Sequence, residues 1–373
     1  MGKHNVRQTG LLSEGRGTRA EVRNMALAMV ALTIFVVAMI ASYSGAFAKP
    51  TLHHLTVAVA APERMAGAIR GQDALAVTEV GDDAAARRQV YERKADAAFV
   101  VGPGGEVTIY VAGGGGRSVA NAAETVGRGI AATAGLTPTV EDIAPTSAAD
   151  PSGTVEFYAV IFLSIGASVG ATVFGRIMGT VRSPRKLLLR TLTLTGYSAL
   201  LAAAVAYYVD GVLGALTGHP WQLFGVLWLY AMAVGGAVTG VAAALGTVAS
   251  LVLTLFLVIV GNAAAAGPVG RPLLSGFYST FNTIVPQGSG VALLRSVQYF
   301  GGNGAQGPLV TLGIWAAAGC LLAAVATVVR MNFGHRAPWR PRLNYRAGHE
   351  RYLPGVAGRD GTVLRPGVLS PAD

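Results

Sequence analysis

The sequence predicts an α-helical polytopic membrane protein with a small α/β domain inserted between its first and second membrane-spanning helices. Of its 373 residues, 52% are hydrophobic and only 13% are charged, whereas about a quarter of the residues in a soluble domain are charged. Several apolar runs approach the roughly 20 residues that a helix needs to cross a bilayer. A long polar segment separates the first of these runs from the others.

The apolar runs share an interior without Asp, Glu, Lys, Arg or His. Lipid offers the backbone no hydrogen-bond partner, so a run of this length must be helical to cross it. We therefore predict about six transmembrane helices, of which the last five form a bundle over 157–330. The predicted spans are Met25–Phe47, Phe157–Phe174, Leu192–Val209, Phe224–Ala244, Thr247–Ala265 and Leu309–Val329.

The first span, 25–47, has two interpretations. Basic residues precede it, and Ala46-Phe47-Ala48 has the small residues at alternate positions of a signal-peptidase site. Its apolar stretch is longer than the usual h-region of about 7–15 residues, which favours an uncleaved signal anchor. Cleavage would leave five spans without changing the orientation of the rest.

Lys and Arg cluster in the N-terminal segment 1–24, in the loop Gly175–Arg190, and from Arg330 through the C-terminal tail 331–373. Cytoplasmic loops of membrane proteins carry an excess of these residues, and six spans place all three clusters on one side. We therefore predict a multi-pass protein of a bacterial plasma membrane with both termini in the cytoplasm. The net charge of +10 then reflects topology, and we predict no nucleic-acid partner.

The segment 49–154 holds most of the acidic residues. Its turn Gly102-Pro103-Gly104-Gly105 between two apolar stretches is typical of a hairpin. We predict an extracytoplasmic α/β domain with a mixed sheet, ending in a linker over Thr137–Gly153. The predicted strands are Leu55–Ala60, Ala76–Val80, Ala97–Val101 and Val107–Ala112, and the predicted helices are Pro62–Arg70, Asp82–Lys94 and Arg117–Ala134.

The sequence lacks motifs for catalysis or cofactor binding. It has no G-x-x-x-x-G-K-[ST] loop for nucleotide phosphates, and we interpret the glycine run Gly113–Gly116 as a flexible turn rather than an anion-binding nest. Cys320 is the only cysteine, which excludes a disulfide within the chain. The predicted spans lack the buried carboxylates of proton-coupled carriers. We predict no catalytic, metal or cofactor site and no enzyme, and expect any transport to be driven by a partner protein.

Two predicted spans carry glycines at G-x-x-x-G spacing, Gly166 with Gly170 and Gly236 with Gly240. Such pairs allow two helix backbones to approach closely. The pattern predicts helix packing, either within the chain or between the subunits of a dimer.

Two loops have unusual compositions. The basic loop Gly175–Arg190 has an apolar edge, which fits a short amphipathic helix at the inner membrane surface or a simple charge anchor for topology. The segment Gly267–Gly302 is apolar but too short to span the membrane twice. It is predicted to form short helices over Pro272–Ile284 and Ser289–Phe300, as a hairpin that is re-entrant or lies on the outer surface.

One span, an outer α/β domain and five further spans is a layout that resembles ABC-2-type permeases, the membrane subunits of ABC exporters, in their phage-infection-protein-like branch. The similarity also lies in Asp82–Ala112, DDAAARRQVYERKADAAFVVGPGGEVTIYVA, and in Gly267–Gly302, GPVGRPLLSGFYSTFNTIVPQGSGVALLRSVQYFGG. The outer domain is shorter than the coiled-coil insertions of many phage-infection-protein-like members, which weakens any link to a phage or surface-receptor role.

The resemblance implies a half-transporter that forms a homo- or heterodimer in membrane lipid and pairs with a separately encoded ABC ATPase. It places the ATPase contact in the loop 175–190, at Val181, Arg182, Ser183 and Arg185. The alternative is a non-transporting membrane scaffold whose outer domain binds a partner in the envelope. A membrane-bound enzyme is a weaker third hypothesis, because no reactive constellation supports it. The sequence does not identify a substrate, although an apolar pathway favours amphipathic or lipid-like cargo.

Overall fold

A computed structural model describes residues 5–333 of the chain. Within this range the backbone forms helices and one five-stranded sheet. The helices are α1 (Asn5–Phe47), α2 (Glu63–Arg70), α3 (Asp83–Tyr91), α4 (Arg117–Ala134), α5 (Val155–Met178), α6 (Pro184–Ala206), α7 (Pro220–Leu245), α8 (Thr247–Phe256), α9 (Gly276–Ile284), α10 (Pro286–Tyr299) and α11 (Gln306–Phe333). The strands are β1 (Leu55–Ala60), β2 (Leu75–Glu79), β3 (Ala97–Val101), β4 (Glu106–Val111) and β5 (Thr137–Asp142).

The sheet has the strand order β2-β1-β3-β4-β5. Strand β1 runs parallel to β2 and β3, β3 and β4 form an antiparallel hairpin, and β5 lies parallel to β4. Helix α4 packs close to the sheet at Gly127, where a Cβ would lie 2.8 Å from the side chain of Ile109. The mixed α/β domain predicted between the first two spans is therefore present as a sheet with helices packed against it.

One element of this domain was predicted wrongly. Residues 137–142 form β5, whereas the sequence suggested a linker from Thr137 onward. Pro138 lies in this strand opposite Val107. Proline has no N–H to donate and is tolerated only at a sheet edge, where β5 lies. The proline and the polar residues around it are typical of a linker, so the sequence pattern did not indicate a strand here. The position of β5 is set by its pairing with β4.

Within residues 5–333, five helices are long and apolar enough to cross a membrane: Arg19–Phe47, Val155–Met178, Pro184–Val212, Pro220–Leu245 and Gln306–Asn332. The chain is thus consistent with a polytopic membrane protein. The prediction of six full-length spans is corrected at Thr247–Ala265, where the structure has a shorter apolar helix over Thr247–Gly261. Helical residues continue to Ala263, and the apolar run ends at Ala266, which has a positive φ of 57°.

Helix α7 lies at the centre of the bundle and packs against α5, α6, α10 and α11. In its apolar window 72% of the residues are buried, compared with 6% in α1. Helix α1 contacts the rest of the chain mainly near its end, where the Ser42 hydroxyl donates to the backbone carbonyl of Ile259 at 2.8 Å. Most of the stretch Arg19–Phe47 therefore presents its apolar surface outward.

The bundle has two distinct ends. At one end the α/β domain contacts α10 and the loops that precede and follow it. At the other end Arg330 of α11 donates to the carbonyl of Ala243 near the end of α7. The turns 179–183 and 246 lie at this second end. We call these the domain end and the turn end of the bundle.

The two helices predicted within 267–302 are present as α9 and α10. They differ in environment. Helix α10 is buried along most of its length, whereas α9 has no buried residue. In this hairpin, α10 is thus packed inside the bundle and α9 lies at its edge.

Candidate functional site

Arg295 of α10 connects the α/β domain to the bundle. Its side chain is only 4% exposed. Its Nη1 donates to the carbonyls of Gly115 and Ala266, each at 3.2 Å, and its Nη2 donates to those of Gly153 and Gly267 at 3.3 and 3.1 Å. A buried cation requires compensation, and here backbone dipoles from three separate segments supply it.

Arg93 of the α/β domain reaches across to the same helix. It follows α3 with a φ of +59°, and its guanidinium donates to the Ala292 carbonyl at 2.8 Å and to the Ser296 hydroxyl. The guanidinium also lies 5.1 Å from the centre of the Phe300 ring. Desolvation and, secondarily, the nearby Arg295 lower the pKa of Arg93 to about 10, so the side chain remains a cation at neutral pH.

The glycine run 113–116 completes this contact. It was predicted to be a flexible turn, but it is a 3₁₀ turn packed on α10. A Cβ at Gly114 would collide with the ring of Tyr299, and one at Gly115 would lie 3.4 Å from the ring of Phe300. The glycines allow the backbone to approach α10 closely, so the run serves as a docking surface.

A cavity of about 940 Å³ lies at this junction, which we call the junction cavity. The α/β domain contributes His53, His54, Thr56, Arg93, Lys94 and Asp96 to its wall. The opposite wall comes from α9, α10, the start of α11 and the loop that contains Arg271. Most of the polar groups lining it are cationic or uncharged. Asp96, the only carboxylate among the described residues that line the cavity, already accepts from the backbone N–H and hydroxyl of Thr56 at 3.0 and 2.7 Å.

Glu156 corrects the prediction that the membrane helices hold no buried carboxylate. Helix α5 begins at Val155, so Glu156 falls within a candidate span, and it is 0% exposed. Neither of its oxygens, nor the hydroxyl of Tyr299, has a hydrogen-bond partner among the residues that the structure describes. Burial and the nearby Glu156 carboxylate raise the pKa of Tyr299 above its ordinary value. The lack of membrane carboxylates therefore no longer supports an external energy source.

Gln287 holds α10 against two other helices. Its side-chain nitrogen donates to the Ser164 hydroxyl of α5 at 3.2 Å and to the carbonyl of Leu257 at 3.0 Å. The carbonyl belongs to a π-helical turn, Leu257–Gly261, that continues α8. The start of the cavity-lining helix α10 is thus tied directly to α5.

The predicted glycine pairs lie at helix contacts inside the chain. A Cβ at Gly170 would collide with the ring of Tyr197, whose hydroxyl donates to the Gly166 carbonyl at 3.0 Å. A Cβ at Gly240 would collide with the backbone of Gly319, and Gly236 meets the same stretch of α11. Both pairs are occupied by partners within the chain, which leaves helix packing as the role that these contacts support.

Three of the predicted ATPase-contact residues, Val181, Arg182 and Ser183, lie in the turn between α5 and α6, and Arg185 lies in the first turn of α6. Val181 is 3% exposed, and the Ser183 hydroxyl accepts from the Lys186 N–H at 3.4 Å as the N-cap of α6. Arg182 and Arg185 are exposed. A separate amphipathic helix over 175–190 is not formed, because α5 extends to Met178 and α6 begins at Pro184. A Ser-Pro step of this kind is a strong helix start.

Searches against family models, curated proteins and solved structures found no match to this chain. The fold itself, with five apolar helices in its described part and a five-stranded sheet, is consistent with a polytopic membrane protein that carries a small α/β domain.

The residues that build the junction, Arg93, Glu156, Gln287 and Arg295, were not predicted as site residues. Their sequence neighbours are unremarkable, and the four come together only through tertiary contacts. Glu156 and Arg295 did carry one signal. Charged residues are scarce between residues 155 and 329, and a charge within or next to an apolar segment is a candidate for burial.

Proposed function

We propose that this chain is the membrane-spanning permease subunit of an ABC-type exporter, driven by a separately encoded ATPase. The observation that carries the proposal is the path of α5. The helix begins at the domain end, two residues after Gly153, whose carbonyl accepts from Arg295 of the cavity wall, and ends at the turn 179–183, where Arg182 is exposed. A protein that pushed on this turn would move a helix bonded to the cavity-lining α10.

The contacts along α5 allow a movement of the turn 179–183 to reach α10 at the junction cavity. Toward the domain end, Ser164, the tenth of the 24 residues of α5, accepts from Gln287 of α10. At the other end Gly179 has a φ of +62° and permits a turn of only five residues before α6. A 24-residue helix is about 36 Å long, at 1.5 Å per residue. A rigid lever of that length can carry a displacement between the two ends.

The turn presents a surface suited to a cytoplasmic partner. Arg182, Arg185 and Lys186 are exposed, and none forms an ion pair within the described part of the chain. Between Val155 and Phe333 the only carboxylates are Glu156 and Asp210, and neither lies near this turn in the sequence. By the positive-inside rule, we place the turn and both termini in the cytoplasm of a bacterial plasma membrane, with α8 as a shorter sixth crossing.

The test is purification of the full chain from its native membrane in mild detergent, with identification of co-purifying proteins and an assay of ATP hydrolysis. The variant carries Arg182→Glu and Arg185→Glu. The control carries Arg64→Glu and Arg88→Glu, the same charge change on exposed residues of the α/β domain. We expect an ATPase with the native chain and the control, and at least about a tenfold loss of it with the turn variant.

Equal thermal stability of the two variants would show that the loss is local. An intact preparation without any ATPase would contradict the permease and favour the scaffold, whose outer domain binds an envelope partner. An ATPase that remained bound after both reversals would reject the turn as its contact.

A further inference from the structure

The junction cavity carries more positive charge than its own residues neutralise. Arg93, Lys94, Arg271 and Arg295 line it, against the one carboxylate that Thr56 already engages. Lys94 pairs outside the cavity wall with Glu92. The side chain of Arg271 is exposed and has no hydrogen-bond or ion-pair partner among the residues that the structure describes. The cavity thus has a net positive field that a bound anion would complete.

Two further features of the cavity favour an anion. Gly288 and Ser289, in the first turn of α10, are part of the wall, so the positive end of a buried 14-residue helix faces the space. Arg93 is held against α10 through Nη1 alone, which leaves its other guanidinium nitrogens to donate. Several cations near a helix N-terminus form a common arrangement for binding phosphate groups.

Helix α9 gives the ligand an apolar side. Gly276, Ser279, Thr280 and Thr283 line the cavity, at the i, i+3, i+4 and i+7 spacing of one helix face. Phe277 and Ile284, on another face, are 55% and 53% exposed. The helix therefore separates a polar cavity from an apolar surface. A molecule that binds to both the polar cavity and the apolar surface of α9 must have a charged head group and an apolar tail.

We propose that the junction cavity binds an anionic amphiphile through its phosphate group, held by Arg93, Lys94 and Arg271 around the first turn of α10, with its apolar part against α9. Arg295 contributes charge, but its Nη1 and Nη2 donors are engaged by backbone carbonyls. This inference goes beyond the proposed function, because binding requires no ATPase and is measured without one.

The experiment measures binding to the purified full chain in a non-ionic detergent by titration calorimetry. The probes are dihexanoyl phosphatidylglycerol, dihexanoyl phosphatidylcholine, glycerol phosphate and inorganic phosphate. We expect the anionic lipid to bind at least about tenfold more tightly than the zwitterionic one, and its affinity to fall with added salt.

The variant for this test carries Lys94→Gln and Arg271→Gln, both at exposed residues whose loss should leave the fold intact. It should weaken binding of the anionic lipid by at least about tenfold, because it removes two cationic hydrogen-bond donors to the phosphate group. The matched control, Arg64→Gln with Arg88→Gln, lies outside the cavity wall and should bind as the native chain does.

The probes also separate the sources of the phosphate. Glycerol phosphate that binds as tightly as the lipid would assign the site to a soluble phosphate ester, and a much weaker affinity would assign it to a lipid. Equal affinity for the two lipids, or an affinity that the cavity variant leaves unchanged, would overturn the proposal. So would the absence of binding by all four probes.

Discussion

The cations at the two ends of the helical bundle are used in opposite ways. At the domain end, Arg295 is buried and gives hydrogen bonds to four backbone carbonyls, while Arg93 is half-buried against α10. At the turn end, Arg182 and Arg185 are exposed next to a short turn. The first pair is anchored by contacts within the chain, with donors of Arg93 left free toward the cavity, whereas the second pair is exposed and available to a partner protein.

This difference in burial indicates that the cations at the two ends of the bundle have different roles. Buried cations fixed by carbonyls join the α/β domain to the helices and shape the cavity between them. Exposed cations contribute little to stability, since surface charges are well solvated. Substitutions at the two ends should therefore affect different measurements, stability at one end and association at the other.

The largest effect should follow removal of Arg295. Arg295→Leu leaves four carbonyls without a donor, and an unsatisfied buried group costs about 1–3 kcal/mol. We expect a loss of several kcal/mol, observed as a lower thermal midpoint of the purified chain and faster proteolysis of the α/β domain. Arg295→Lys keeps the charge with fewer donors and should lie between the native chain and the leucine variant.

The matched variant at the turn end is Arg185→Leu. Its side chain is exposed, so its thermal midpoint should stay close to that of the native chain. If Arg185→Leu lowered the midpoint as much as Arg295→Leu, the two ends would not differ as proposed. Failure of Arg295→Leu alone to accumulate as folded protein would agree with the prediction.

The contrast also explains what the sequence could predict. The turn-end cations are neighbours in the chain, and the positive-inside rule finds them as a group. Strands β1 and β3 and helix α4 were predicted with the bounds that the structure shows, because local periodicity specifies them. The junction cavity joins Arg93 to Arg271 and Arg295, which lie far apart in the sequence. No local pattern could bring them together.

The early end of α8 has a similar cause. Residues Ala263 to Ala266 are as apolar as a membrane helix, so composition extends the predicted span as far as Ala265. In the structure Ala265 and Ala266 line the cavity, and the Ala266 carbonyl accepts from Arg295. A carbonyl already bonded within a helix is a poorer partner for a side chain. The tertiary contact with α10 therefore outweighs helix propensity at these residues.

A smaller effect should arise where helix packing, not polar contact, holds the bundle. A Cβ at Gly319 of α11 would meet backbone atoms of Gly236 and Ala237 in α7. Backbone atoms cannot move aside as a flexible side chain can, so Gly319→Ala should destabilise the chain by about 1–3 kcal/mol. The measurement is the thermal midpoint in detergent.

Gly313 provides the control on the same helix, since a Cβ there has no atom within 4 Å. Gly313→Ala should be neutral or stabilising by up to about 1 kcal/mol, because alanine favours a helix more than glycine does. A destabilisation of equal size at both glycines would indicate general sensitivity of α11 rather than close contact with α7.

The smallest effect concerns pH and should be confined to the domain end. Tyr110 of β4 donates to the Asp83 carboxylate at 2.7 Å, and burial, followed by this hydrogen bond, raises the pKa of Tyr110 to about 12. The unfolded chain would ionise this tyrosine near pH 10. The stabilisation is therefore complete below pH 10 and is lost as the pH rises from about 10 to about 12.

Tyr110→Phe should remove this part of the pH dependence and cost about 1 kcal/mol at neutral pH through the lost hydrogen bond. Tyr207→Phe, at a tyrosine that is 72% exposed, should keep the native slope. The readout is the thermal midpoint between pH 8 and 12. If Tyr110→Phe kept the native slope, the alkaline loss of stability would originate elsewhere. The most direct alternative is Tyr299, whose pKa is also raised and which lies where α10 meets the α/β domain.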